Sequence, residues 1–64
     1  MMIEYQYEVA LCKSGQWRYA VIEVENGEAV EVEGGAGFES EDAADLAGFE
    51  AVTTWRGRLE TPDY

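Results

Sequence analysis

Histidine is absent from the 64 residues, cysteine and proline occur once each, and lysine and arginine together number four. Each scarcity excludes something. Without histidine the usual zinc arrangements cannot be built, and a serine or cysteine nucleophile has no imidazole to activate it. A single cysteine forms no internal disulfide, which suits a reducing compartment. No apolar run approaches the roughly 20 residues of a membrane span, and no basic segment leads into an apolar one at the N-terminus. The expected location is therefore the cytoplasm. So few cations cannot neutralise a row of phosphates, so direct nucleic-acid binding is not expected.

What the chain has in quantity is acid. Fourteen aspartates and glutamates give a net charge of −10, within a composition that is 47% hydrophobic and 28% charged. That apolar content belongs to a folded domain rather than a disordered acidic tail. The length allows one domain spanning residues 1–64, with one thin core. The charge is uneven: acids and bases cancel over residues 1–18 and 56–64, so the whole excess lies between Tyr19 and Trp55, where no lysine or arginine occurs.

Alternation supplies the strands. Ile3, Tyr5, Tyr7, Val9 and Leu11 alternate with Glu4, Gln6, Glu8, Ala10 and Cys12, which reads as a half-buried strand over about residues 2–12. Lys13-Ser14-Gly15-Gln16 reads as a turn, a second strand covers 17–25, and Asn26-Gly27 is a hairpin signal ahead of a third strand at 29–33. Gly34-Gly35-Ala36-Gly37 breaks the pattern. Ser40, followed by Glu41 and Asp42, opens a helix over about 40–56, with Gly57 as its stop and 57–64 as a tail. The expected fold is α+β: a three-stranded antiparallel meander in the order 1-2-3, with one C-terminal helix packed on one face.

Parity then assigns faces. Pairing Cys12 with Trp17 sets Tyr7 opposite Ile22 and Tyr5 opposite Val24. A three-residue loop of Glu25-Asn26-Gly27 sets Ile22 opposite Val30, whereas a two-residue loop would mix apolar and charged residues. The three-residue loop is therefore expected. It places Ile3, Tyr5, Tyr7, Val9, Leu11, Ala20, Ile22, Val24, Val30 and Val32 on the core face. Glu4, Glu8, Glu23, Glu25, Glu31 and Glu33 then share the other face with Gln6 and Val21. Six like charges on short strands repel, so a purely solubilising role explains them poorly. The helix would cover the core with Ala44, Ala47, Gly48, Ala51, Val52 and Trp55. Leu46 and Phe49 fall off that stripe, either curling under to finish the core or forming an exposed secondary or dimer contact.

No catalytic, metal or cofactor site follows from the residues. The glycine run lacks the Lys-Ser/Thr of a phosphate loop, no calcium-loop pattern occurs, and Cys12 beside Lys13 reads as a packing residue. A carboxylate pair for glycoside chemistry would need a cleft that so short a chain cannot form. The expectation is a non-catalytic binding protein. Its partner-binding residues would be Glu4, Glu8, Glu23, Glu25, Glu31 and Glu33, with Trp17 and Tyr19 as aromatic anchors.

In length, charge and compact sheet-plus-helix build the chain resembles the small acidic inhibitors of phages and mobile elements, including anti-CRISPR proteins. The resemblance implies a DNA mimic that blocks the positively charged surface of a nucleic-acid-binding protein or ribonucleoprotein complex without turnover. For a phage-encoded member the setting would be the host cytoplasm. The alternative is a small structural or regulatory module that self-associates through its third strand, through the helix flank of Leu46 and Phe49, or both, with the longer first strand as a further dimer edge, its acidic face serving solubility.

Overall fold

The computed structural model describes residues 2–60, with side chains through residue 58. Its elements are β1 (Ile3–Leu11), β2 (Trp17–Glu25), β3 (Glu28–Phe38) and α1 (Glu41–Glu60). The strands form one antiparallel sheet in the order β1-β2-β3. The helix lies against one side of it, so the fold is the expected α+β meander with a C-terminal helix. β3 is longer than expected because the glycine run stays paired, Gly34 opposite Ala20 and Gly35 opposite Tyr19. The helix passes through Gly57 instead of stopping there. A glycine ends a helix when it turns left-handed, and here the following Arg58 stacks over Trp55 at 4.5 Å and holds the last turn. The expected tail beyond residue 60 lies outside the described residues.

The register differs from the expected one in both hairpins. β1 and β2 pair with Leu11 opposite Trp17, Tyr7 opposite Val21 and Tyr5 opposite Glu23, one residue away from the expected alignment. The cause is the first loop. Cys12 N–H donates to the Gln16 carbonyl at 2.7 Å, and Gly15 N–H donates to the Cys12 carbonyl at 3.0 Å. Gly15 takes φ +89°, so Lys13-Ser14-Gly15 forms the three-residue loop with a left-handed glycine. The second hairpin has the shorter loop. Glu25 faces Glu28 directly, and Asn26 and Gly27 both take positive φ, 54° and 83°, as a two-residue turn of the mirror-image type requires.

The mixing that a two-residue loop imposes is real near the turn, where Ile22 faces Glu31 and Glu23 faces Val30. A bulge follows, and it sets one more glutamate opposite an apolar residue, Glu33 opposite Val21. The pairing shifts between Val21 and Ile22, leaving Val32 as the extra residue. Both Val32 and Glu33 then reach the helix side: Val32 packs against the core, and Glu33 bonds Trp55.

The core is Tyr5, Val21 and Val52, with Ile3, Tyr7, Tyr19, Val32, Ala51 and Trp55 packed around it. Ile22, Val24 and Val30, expected in this core, lie outside it, and Val21, expected outside, is fully buried at its centre. Ala20 is buried too, but on the opposite side of the sheet, in register with Glu8 and Gly34. Leu11 remains mostly exposed. On the helix, Ala44, Gly48 and Val52 are buried, as the small-residue stripe predicts. Helix and sheet approach closely at Gly48: a β-carbon there would sit 2.6 Å from the Tyr7 ring and 3.1 Å from Tyr19 Cβ. Ser40 caps the helix as expected, its Oγ accepting from Ala43 N–H at 3.1 Å.

Candidate interaction surface

The register divides the expected partner-binding residues between two sides. On the helix side lie Trp17, Tyr19, Glu23, Glu25 and Glu33. On the open side lie Glu4, Glu8 and Glu31. The carpet of six glutamates on one face does not form, because Glu23 and Glu31 project from opposite sides of the sheet. The physical reason is the pairing: Glu23 stands opposite Tyr5 and Val30, whereas Glu31 stands opposite Ile22.

Two of the inward glutamates, Glu23 and Glu33, accept hydrogen bonds from aromatic side chains, as does Asp45 on the helix. Tyr5 donates its hydroxyl to Glu23 at 2.8 Å, Tyr7 donates to Asp45 at 2.8 Å, and Tyr19 donates to Glu33 at 2.9 Å. Trp55 Nε1–H donates to the second oxygen of Glu33 at 2.8 Å. Glu33 thus joins the sheet to the helix, and the Tyr5 and Trp55 rings pack with centroids 5.4 Å apart. The two donors hold the Glu33 carboxyl below the usual carboxylate range, the Trp55 bond being the larger cause. The partner carboxylates push the hydroxyls the other way. Glu23 raises Tyr5 and Asp45 raises Tyr7 through their hydrogen bonds, and burial followed by the Glu33 bond raises Tyr19. Tyr19 also packs against Phe38, with centroids 5.9 Å apart, and Trp17 is half-buried. Tyr19 is thus engaged within the fold by its hydroxyl and its ring. The tyrosines themselves carried the missed signal: half-buried hydroxyls on a core face need acceptors, and the nearby acceptors in this sequence are carboxylates.

Among the described residues no second layer covers the open side. Along β2 it presents Ile22 and Val24, half-buried, with Ala20 beneath. Glu4, Gln6 and Glu8 border them on β1, and Ala29 and Glu31 border them on β3. Arg18 reaches toward Glu31 at 3.5 Å, the one ion pair among the described residues. At one end, Met2, Ile3, Glu4, Val24, Asn26 and Gly27 line an open depression of about 350 Å³. Among the described residues no group of three or more histidines, cysteines, aspartates or glutamates is placed to hold a metal ion. No helix among them is long and apolar enough to cross a membrane. No protein-family model, curated protein or solved structure matches the chain.

Proposed function

We propose that the protein is a non-catalytic acidic binding module whose partner presents a positively charged, nucleic-acid-binding surface, and that the open side of the sheet is where it meets that partner. The observation that carries the reading is the anatomy of this side. An apolar ridge of Ile22 and Val24 is flanked by Glu4, Glu8 and Glu31, the pattern of an interface core with a charged rim. A net charge of −10 draws such a module to cationic surfaces and makes association fast and salt-sensitive. The partner is a basic nucleic-acid-binding protein or ribonucleoprotein complex, as for the acidic phage inhibitors that the chain resembles, and the setting is the cytoplasm. Glu23, Glu25 and Glu33 leave the contact set, because they lie on the helix side.

Self-association is the less supported reading. Arg56 donates from Nε and Nη2 to the Tyr5 carbonyl at 3.2 and 2.9 Å, so one carbonyl near the start of the β1 edge is already engaged from the helix.

The test pairs capture with competition. The intact chain, immobilised at low salt, is expected to retain basic nucleic-acid-binding proteins that duplex DNA or high salt releases. The triple variant Glu4→Gln, Glu8→Gln, Glu31→Gln is expected to retain them poorly while melting no lower than the parent. Retention unchanged in that variant, or complexes that duplex DNA fails to displace, would remove the reading.

A further inference from the structure

The helix carries a second surface that neither the core nor the sheet side explains. Leu46 is 59% exposed and Phe49 53% exposed. At helical spacing Leu46 stands opposite the buried stripe of Ala44, Gly48 and Val52, and Phe49 lies beside it, one turn along. Leu46 is bracketed one turn away on either side by Asp42 and Glu50, and Phe49 by Asp45 and Thr53. The Thr53 hydroxyl is spent within the helix, donating to the Phe49 carbonyl at 2.8 Å. No cation occurs between Ser40 and Thr54, and the next one, Arg56, is turned to the Tyr5 carbonyl. A leucine and a phenylalanine left more than half exposed on a folded helix cost solubility, and neither belongs to the core cluster of the described residues.

We propose that Leu46 and Phe49 are paired anchors that seat this helix in an apolar groove of a partner protein whose rim is basic. Charge complementarity selects that occupant. A second copy of this chain meeting the same stripe two-fold would set Asp45 of each helix against Glu50 of the other, whereas lysines or arginines around a groove would pair with these acids. Docking of an amphipathic helix through anchors one turn apart is an established recognition mode. The inference stands apart from the sheet-side reading, and either holds without the other.

The probe is a short amphipathic helical peptide of leucine and lysine, titrated into the isotope-labelled intact chain and followed by amide shifts. The expected result is saturable movement of amides in the 42–53 stretch. Leu46→Ala with Phe49→Ala leaves every charge in place and is expected to weaken binding by about tenfold or more, as loss of buried anchors does. Both positions are exposed, so the variant keeps its fold, which its own amide spectrum verifies. The Glu4, Glu8, Glu31 triple variant is expected to bind the peptide as the parent does. Unchanged affinity in the alanine variant would mean simple adsorption to negative charge and would overturn the inference. Shifts confined to the open side of the sheet would overturn it in favour of the other surface. Movement of the 42–53 amides on dilution without peptide would overturn it in favour of a second copy.

Discussion

Glu33 is the residue on which most converges: two aromatic donors from two elements end on its two oxygens. Its pKa is depressed in the fold, so the stability it contributes is present above the unfolded value near 4.5 and is lost as pH falls through the lower folded value. Tyr5, Tyr7 and Tyr19 are raised, so what they contribute is present below 10.0 and is lost only above it, as pH rises through their folded values. Melting curves of the parent and of Glu33→Gln are therefore expected to differ at neutral pH and to converge in acid. Parallel curves at every pH would show that the two donors do not stabilise the carboxylate. Gly48 is the other decisive residue. Alanine there gains helix propensity of about 1 kcal/mol, but its methyl group meets a Tyr7 ring anchored by Asp45. A net loss of about 1–2 kcal/mol is expected from that overpacking, visible as a fall in Tm of roughly 5 °C or more.

At the scale of elements, what could be read in the sequence was what local chemistry decides. Period-two alternation marks β1, the run from Trp17 to Glu25 ahead of Asn26-Gly27 marks β2, Ser40 with its following acids marks the helix start, and the spacing of Ala44, Gly48 and Val52 marks its buried side. Replacing Ser40 with alanine is expected to cost about 1 kcal/mol, measurable by denaturant unfolding. Register was not legible, because it depends on loop lengths and on a bulge that leave no mark in alternation. Lys13-Ser14-Gly15-Gln16 could close as three residues or four, and the three-residue loop sits in the first hairpin rather than the second. Counting apolar partners favoured burying Ile22 and Val24. The chain instead buries tyrosine rings with their hydroxyls on carboxylates, a solution that a count of apolar pairs penalises. Deleting Val32 is expected to close the bulge with Glu33 still opposite Val21 and bonded to Tyr19 and Trp55, so Tm falls only by the lost packing of Val32 against the core. An unchanged Tm would show that Val32 adds nothing to the core.

For the whole molecule, electrostatics opposes the fold. With ten excess negative charges and one exposed ion pair among the described residues, self-repulsion outweighs attraction. Added sodium chloride is therefore expected to raise Tm, because screening removes more repulsion than pairing. A Tm that falls with salt would point to attractive networks that the described residues do not contain. The extra residue at Val32 has a consequence for how the protein meets anything. By sending Glu31 outward and Glu33 inward, it spreads anionic character around the whole body instead of concentrating it on a single flank. A polyanion of that kind is pulled toward a cationic neighbour quickly but with little torque, so it arrives unaimed. On the two surfaces proposed above, the choice of which flank lands would then belong to short-range fit, either the bare back of the sheet or the two greasy side chains on the helix.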